Sequence, residues 1–354
     1  MEKENQITVL GCGRWASFHA WYQAVPLKHD VLMWGRRGDA MFDDLAKTRR
    51  NDFLELPGNI SLGSDLEEDI AFSNYILIVI SAQGMRDLSP KIAKIMAGQD
   101  EHRTFILCMK GIDEESYQTL AQLLRAEFDK ENVQNASICV WLGPGHIQEF
   151  LDGQPGVMLI DGEDEDSVRR VVEKFRSSIM RLYMGEDLVG AEVGAAAKNV
   201  LGIAAGILDG VEMPSLKGAL MARGVHEVAK LIVAMGGKRQ TAYGLSHLGD
   251  FEATLFSRNS NNRKFGESII KYLKESDKKG SSVVDENGTL KEGLEHLRLA
   301  EGVATSKAMY ELAKKHGVEM PITNLIYEVL HQGKDPFDGF KELFFRGNNK
   351  EFNF

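Results

Sequence analysis

Short, nearly continuous apolar runs alternate with helical periods through the first half of the chain. The strand-length runs lie at residues 7–10, 31–34, 75–80, 105–109 and 138–142. Continuous apolar runs are typical of strands that are covered on both faces. Helical spacing of apolar positions follows four of these runs, at residues 16–24, 41–49, 89–97 and 116–128. This alternation predicts an α/β fold with a doubly wound parallel sheet.

The pattern changes after residue 184. Further strand and helix signals at residues 157–160, 167–175 and 179–183 extend the predicted sheet. Beyond them, helices are predicted at residues 188–208, 216–235, 265–274, 302–316 and 322–330, with loops at 236–264 and 277–291. We therefore predict an α/β domain over residues 1–186 and a separate all-α domain over residues 187–354.

Composition narrows the class of protein. The 354 residues are 43% hydrophobic, which is enough to fill two cores, and the net charge of −10 disfavours general nucleic-acid binding. Cys12, Cys108 and Cys139 form no C-x-x-C pair, so we expect a cytoplasmic protein without disulfides or bound metal. We also expect no targeting segment and no apolar run that approaches the roughly 20 residues of a membrane span.

A glycine-rich turn follows the first predicted strand. Gly11-Cys12-Gly13-Arg14-Trp15-Ala16 has the pattern G-x-G-x-x-A and leads into a helical segment. The first glycine permits a tight turn, the second lets backbone approach a pyrophosphate, and the small last residue lets helix and strand pack closely. At this position the motif predicts a Rossmann-type dinucleotide-binding domain, with a plain tight turn as the alternative.

The end of the second predicted strand indicates which dinucleotide is bound. An acidic residue there bonds a ribose 2′-OH, whereas an arginine accommodates a 2′-phosphate. The sequence is Trp34-Gly35-Arg36-Arg37, so NADPH is modestly favoured over NADH. The alternative is a solvated loop, and Asp39 could still reach a ribose.

One face of the first helix of the second domain carries glycines around a single lysine, Lys198. The glycines of this stripe are Gly190, Gly194, Gly202, Gly206 and Gly210. Because a helical glycine costs up to about 1 kcal/mol relative to alanine, the stripe indicates that something approaches the backbone closely. We interpret Lys198 as an ammonium in a partly desolvated crevice, where its pKa falls and it can move a proton. The alternative is close helix packing, with Lys198 reaching solvent.

Two other turns close predicted strands. Lys110-Gly111 follows the run at 105–109, and Gly143-Pro144-Gly145 follows the run at 138–142. Ligands of open α/β sheets bind at the carboxyl ends of the strands. Lys110 is therefore predicted to face the same crevice as the glycine-rich turn, although such turns are often only turns.

In this order, these motifs resemble the NAD(P)-dependent glycerol-3-phosphate dehydrogenases. The resemblance covers nearly the whole chain, and further matches are Glu149, 190–200, Asp209-Gly210, Arg223-Gly224, 248–250, Thr254, Glu301-Gly302 and 320–322. It implies reversible hydride transfer between NAD(P)H and dihydroxyacetone phosphate. The product, sn-glycerol 3-phosphate, would supply glycerophospholipid synthesis.

The resemblance also implies roles for single residues. Lys198 matches the proton donor and acceptor, Lys110 the lysine that holds the carbonyl oxygen, and Asp250 a residue that orients the catalytic lysine. Residues matched to substrate binding are Lys110, Gly143, Gly145, Asn199, Thr254, Arg258, Asn259, Ser260 and Asn262. Residues matched to the cofactor are Gly11, Gly13, Arg14, Trp15, Arg36, Lys110, Ile147 and Glu301.

The chain departs from the family in its phosphate-binding string, Ser-Arg-Asn-Arg. If the spacing is kept, Ser260 to Arg263 takes that place, and Asn261 stands where the family has arginine. If the string itself is kept, the match is Ser257-Arg258-Asn259. We favour Arg258, because a planar guanidinium binds phosphate with two parallel hydrogen bonds.

Two other functions stay open from the sequence. One is a related two-domain reductase of another small oxo or hydroxy compound, and the other is a dinucleotide sensor without turnover. The apolar helices of the second domain are compatible with a homodimer. His226, His247 and His296 have no metal-ligand spacing and are expected to be ordinary helix or loop residues.

Overall fold

The computed structural model describes residues 2–51, 54–257, 260–275, 283, 291 and 301–346. The chain divides into two compact units. One comprises Met1–Lys110 with Thr119–Leu188 and is called the sheet unit; the other comprises Gly111–Gln118 with Val189–Phe354 and is called the helical unit. The segment Gly111–Gln118 thus belongs to the helical unit, although it precedes the rest of that unit in the chain.

An eight-stranded sheet organises the sheet unit. Its strands are β1 (Gln6–Leu10), β2 (Asp30–Trp34), β3 (Ile60–Gly63), β4 (Tyr75–Ile78), β5 (Arg103–Leu107), β6 (Ala136–Leu142), β7 (Gly156–Gly162) and β8 (Met180–Met184). Their order is β3-β2-β1-β4-β5-β6-β7-β8, and every pairing is parallel except the antiparallel pair β6 and β7. From β1 the strand order runs to β3 at one edge of the sheet, and from β4 it runs to β8 at the other edge. The carboxyl ends of β1 and β4 are therefore a topological switch point, where ligands bind in such sheets.

Helices connect the strands of this sheet. They are α1 (Arg14–Ala24), α2 (Ala40–Thr48), α3 (Leu66–Ala71), α4 (Met85–Ala97), α5 (Leu120–Lys130), α6 (Ile147–Leu151) and α7 (Glu165–Phe175), with short 3-10 turns at Glu2–Asn5 and Ala82–Gly84. The predicted doubly wound sheet is confirmed. The predicted helix start at residue 116 is wrong, because Thr119 accepts a hydrogen bond from the Gln122 backbone N–H and caps α5 there.

The helical unit confirms the predicted all-α second domain. Its helices are α8 (Leu188–Gly210), α9 (Lys217–Ala234), α10 (Asp250–Phe256), α11 (Asn261–Glu275), α12 (Glu301–His316), α13 (Pro321–His331) and α14 (Pro336–Phe345). The predicted loop at 236–264 is wrong, since it contains a 3-10 segment (Arg239–Tyr243), a π-helical turn (Leu245–Gly249), α10 and the start of α11. Of the predicted loop at 277–291, residues 283 and 291 alone are described.

Helix α8 is the core of the helical unit. Among the described residues it is the one helix long and apolar enough to cross a membrane. However, 94% of its apolar 18-residue stretch is buried inside the protein. The expectation that no run approaches this length is therefore wrong. Its side chains, such as Leu201, pack in one cluster with Val225 of α9, Phe251 of α10 and Leu312 of α12. Burial among other helices accounts for its composition.

Glu227 joins α9 to the start of α13. Its buried carboxylate accepts hydrogen bonds from the backbone N–H groups of Ile322 (2.8 Å) and Thr323 (3.2 Å). N–H groups in the first turn of a helix have no partner inside the helix, so this side chain supplies one. Burial raises the pKa of Glu227 to about 7, against the opposing effect of these hydrogen bonds.

We expect Glu227→Ala to lower the free energy of unfolding by roughly 2 kcal/mol, because it leaves buried donors unpaired.

Glu227→Gln keeps an acceptor and cannot ionise. The folded-state pKa lies above the ordinary value of 4.5, so the proton-linked stability is fully present below that value and is lost as pH rises through about 7. Thermal unfolding on both sides of this window should show a smaller loss at high pH for Glu227→Gln than for the unmodified protein. Equal losses would contradict a buried, titrating carboxyl.

Candidate active site

The glycine-rich turn has the geometry of an anion-binding turn. Gly11 has a φ of +135°, and a Cβ there would lie 2.2 Å from the Val79 carbonyl oxygen, so only glycine fits. A Cβ at Gly13 would meet no atom within 4 Å. Among the described residues, no side chain caps the start of α1 at Gly13. The turn therefore fits a pyrophosphate approaching the first N–H groups of α1.

Aromatic stacking holds α1 in place behind this turn. The ring of Phe18 stacks on Trp15 (4.9 Å between centroids) and on Phe150 of α6 (5.1 Å). Arg14 donates a hydrogen bond of 2.8 Å to Gln148, also in α6. These contacts bring Arg14 and Trp15, both expected at the cofactor, together with the helix that begins at the buried Ile147.

Two guanidinium groups follow β2. The Arg36 side chain is 71% exposed, with Nη2 3.9 Å from Asp39 Oδ2. Arg37 donates through Nε to Ser64 Oγ at 2.8 Å. Asp39 caps α2 by accepting from the Met41 backbone N–H at 3.0 Å. Asp39 thus caps α2 through Oδ1 and lies near Arg36 through Oδ2, so two arginines and one carboxylate follow β2.

Lys110 connects the turns that follow β5 and β6. Its Nζ donates to the Gly143 carbonyl oxygen at 3.2 Å. Gly143 has a φ of +139°, and a Cβ there would lie 3.1 Å from the Met158 backbone. A Cβ at Gly145 would lie 2.4 Å from the Phe150 ring. Tight packing therefore accounts for both glycines, and it fixes the carbonyl that Lys110 contacts.

In the helical unit, Lys198 extends from α8 to the start of α10. Its Nζ lies 3.3 Å from Asp250 Oδ1 and 3.0 Å from Thr254 Oγ1. The Lys198 side chain is 13% exposed and that of Asp250 is 5% exposed. The Thr254 hydroxyl donates in turn to the Asp250 backbone carbonyl at 2.8 Å. The structure thus holds one ammonium against a buried carboxylate and an oriented hydroxyl.

Asn199 belongs to a ring of hydrogen bonds beside Lys198. Its Nδ2 donates to Glu301 Oε2 (3.2 Å), and its Oδ1 accepts from Asn262 Nδ2 (3.0 Å). Asn262 Oδ1 accepts from the Gly302 backbone N–H at 3.0 Å. The ring brings together three residues that the family resemblance selects from α8, α11 and α12, and it fixes the orientation of both amides.

The glycine stripe marks where other parts of the helical unit approach α8. A Cβ at Gly202 would lie 2.9 Å from Thr254 Cγ2 and 3.2 Å from Asn262 Cβ. A Cβ at Gly206 would lie 1.9 Å from the Arg263 carbonyl oxygen. Close helix packing therefore explains these glycines, and the approaching groups are side chains at Gly202 and backbone at Gly206. The same packing places Thr254 and Asn262 beside Lys198 and Asn199.

Sequence reasoning missed a network of charges around Asp209. Lys217 Nζ lies 2.6 Å from this carboxylate, which also accepts from Arg263 Nε. Both cations also donate to backbone carbonyl oxygens. Lys217 donates to that of Leu255 (3.3 Å), and Arg263 donates to that of Ser257 (3.1 Å). No spacing along the chain links these residues, although Asp209 lies in a motif of the resemblance.

The predicted phosphate-binding residues are described only in part. Arg258 and Asn259 lie outside the described residues. The Ser260 hydroxyl accepts from the Arg263 backbone N–H at 3.3 Å, at the start of α11. His296 also lies outside the described residues, and within them no group of three His, Cys, Asp or Glu residues could hold a metal ion.

A Rossmann sheet with a dinucleotide turn, followed by a helical domain with a shielded lysine, defines a two-domain NAD(P)-dependent dehydrogenase. Two family models extend this conclusion. The N-terminal model of the NAD-dependent glycerol-3-phosphate dehydrogenases matches residues 6–168, and the C-terminal model matches residues 187–341. The chain therefore belongs to the NAD-dependent glycerol-3-phosphate dehydrogenase family.

Individual relatives agree with this family. An NAD(P)+ glycerol-3-phosphate dehydrogenase of Salinibacter ruber is 33% identical over 352 residues, which cover 98% of this chain and 96% of the relative. One from Clostridium botulinum is 35% identical over 321 residues, covering 89% and 90%. The crystal structure of glycerol-3-phosphate dehydrogenase from Coxiella burnetii has the same fold, with a TM-score of 0.82, 24% identity and coverage of 96% and 99%.

Proposed function

We propose that the protein catalyses reversible hydride transfer between NAD(P)H and dihydroxyacetone phosphate, giving sn-glycerol 3-phosphate for glycerophospholipid synthesis. The observation that carries this proposal is the Lys198 ammonium, held by Asp250 and Thr254 in a chain of this family. Reduction of a ketone builds negative charge on its oxygen, which needs a nearby cation and then a proton. The Lys198 ammonium can supply both.

The proton moves at Lys198 Nζ. In the direction of reduction the ammonium gives its proton to the substrate oxygen, and in the direction of oxidation the neutral amine takes the hydroxyl proton. Asp250 Oδ1 and Thr254 Oγ1 hold this nitrogen at 3.3 and 3.0 Å. Lys110 is proposed to hold the substrate oxygen as a second cation.

The dinucleotide supplies or accepts the hydride. We propose that Gly11 and Gly13 admit its pyrophosphate to the start of α1, where the helix dipole and the first N–H groups of the helix favour an anion. Arg14, Trp15 and Ile147 would line the same part of the cofactor site. Glu301, which orients Asn199, is proposed to lie at the cofactor as well.

We also propose that the enzyme works in the cytoplasm as a homodimer. The thiols of Cys12, Cys108 and Cys139 are free, as in a reducing compartment. The helical unit exposes single apolar side chains, among them Tyr243 and Phe256, that a second copy could cover.

Lys198→Ala and Lys198→Met should each lower kcat with dihydroxyacetone phosphate by about a thousandfold, since general acid catalysis is lost. The affinity for NADPH should hardly change, because the role of Lys198 belongs to the transition state. The measurement is NADPH oxidation with dihydroxyacetone phosphate beside a panel of non-phosphorylated ketones. Lys314→Met, at an exposed position of α12, is the matched control.

Full turnover by Lys198→Met would contradict the assignment. In the unmodified protein, oxidation with a non-phosphorylated ketone alone would indicate the related reductase. No oxidation with any ketone would indicate a sensor.

For the cofactor, we propose that NADPH binds more tightly than NADH. Arg36→Asp should reduce the preference by about tenfold or reverse it, because a charge-assisted contact to the 2′-phosphate is lost. Lys47→Asp, on the exposed side of α2, makes the same change in net charge and should leave the preference intact. Titration with both dinucleotides measures this. Equal affinities in the unmodified protein would show that Arg36 is only a surface residue.

For the substrate phosphate, we propose that Arg258, with Asn259, Ser260 and Asn262, provides the contacts. Arg258→Ala should raise KM for dihydroxyacetone phosphate about tenfold or more and leave a non-phosphorylated analogue nearly unaffected. Arg258→Lys should recover part of the loss, because the charge survives without the two-pronged geometry.

The other register has its own test. Asn261→Arg restores the arginine of the family at the first residue of α11. If this change lowers KM while Arg258→Ala has no effect, Ser260 to Asn262 bind the phosphate without Arg258, and our register is wrong. If neither variant changes KM, the phosphate is bound elsewhere.

A further inference from the structure

His247 is buried inside the π-helical turn that precedes α10. Its side chain is fully buried, and its Nδ1 lies 2.8 Å from the Gly194 carbonyl oxygen. A carbonyl oxygen only accepts hydrogen bonds, so Nδ1 carries the proton and donates. Burial lowers the pKa of His247 to about 4, so the ring is neutral at ordinary pH and keeps this tautomer.

The carbonyl that His247 contacts lies about one helical turn before Lys198 in α8. In an α-helix the carbonyl of residue 194 accepts the backbone N–H of residue 198, and both residues lie within α8. A Cβ at Gly194 would lie 2.7 Å from the His247 Cβ, so the turn reaches α8 only because residue 194 is glycine. His247 Nδ1 and the Lys198 backbone N–H thus donate to the same carbonyl oxygen, that of Gly194.

His247 is also linked to the carboxylate that Lys198 contacts. Two residues, Leu248 and Gly249, lie between it and Asp250, and its ring stacks on Phe251 at 5.7 Å with an interplanar angle of 14°. Asp250 Oδ1 lies 3.3 Å from Lys198 Nζ. The His247 side chain therefore donates to α8, which carries the Lys198 ammonium. His247 itself belongs to the segment that carries Asp250, the counterion of Lys198.

Packing alone does not account for a histidine here. Its Nε2 has no hydrogen-bond partner among the described residues. A buried, unpaired polar group destabilises the folded protein, and an apolar ring of similar size avoids this cost. Unlike an apolar ring, the imidazole provides a donor at Nδ1. Single π-helical turns are also frequent at functional sites.

We propose that His247 is a positioning residue, which acts through the Gly194 carbonyl and sets the distance between Lys198 Nζ and the Asp250 carboxylate. This inference rests on the proposed role of Lys198 as proton donor. Its chemistry is neutral hydrogen bonding, with no proton transferred at the imidazole.

Three substitutions separate positioning from packing. His247→Asn places an amide donor near the position of Nδ1, His247→Gln places it near Nε2, and His247→Phe keeps the ring without a donor. We expect His247→Asn to keep kcat within about threefold, and the other two to lose about ten- to a hundredfold, since small misplacements of reacting groups have effects of this size. KM and the NADPH affinity should change little, and the Tm of His247→Phe should not fall.

Full kcat in His247→Phe would overturn the inference. So would equal losses of kcat in His247→Asn and His247→Phe. A second readout is independent of turnover: hydrogen exchange of the Lys198 backbone amide should be faster in His247→Phe and near the unmodified rate in His247→Asn. Unchanged exchange in His247→Phe would also overturn the inference, whereas an unmodified protein that is inactive on dihydroxyacetone phosphate contradicts only the proposed function.

Discussion

The candidate site of the helical unit depends on a buried ion pair, Lys198 Nζ against the Asp250 carboxylate at 3.3 Å. Removing two charges from water is costly, and the cost is recovered only with good geometry and further hydrogen bonds. Thr254 provides one, at 3.0 Å from Nζ. Loss of one partner would leave a buried charge uncompensated, so α8 and α10 must stay in contact. An ammonium held in this way is shielded from solvent and fixed relative to Asp250 and Thr254.

The glycines of α8 make this contact geometrically feasible. At Gly202 and Gly206, neighbouring segments come so close that a Cβ would meet Thr254 and the Arg263 backbone. The same close approach brings Asn262 to Asn199. Fold and site therefore share one set of contacts: the glycines lower the helix propensity of α8, and tertiary packing compensates for this.

Sequence reasoning succeeded where the pattern is local and failed where contacts are distant. The central strands were predicted because both their faces are buried, whereas β3 was missed because it is short and only its first residue is fully buried. α14 was also missed, although Asp335 before Pro336 is a helix-start signal, and the structure shows Asp335 capping this helix. The link between Asn199 and Glu301 spans 102 residues, and only the family resemblance pointed to both. His247 was expected to be an ordinary residue, because nothing local shows that its ring reaches Gly194.

The most direct test of the central claim is a double-mutant cycle on kcat/KM for dihydroxyacetone phosphate, with Lys198→Met, Asp250→Asn and the double variant. If Asp250 acts through Lys198, Asp250→Asn should lower kcat/KM by about tenfold or more in the otherwise unmodified protein. In the Lys198→Met background, the same change should have an effect of less than about twofold. Equal fold losses in the two backgrounds would contradict the coupling of this carboxylate to the Lys198 ammonium.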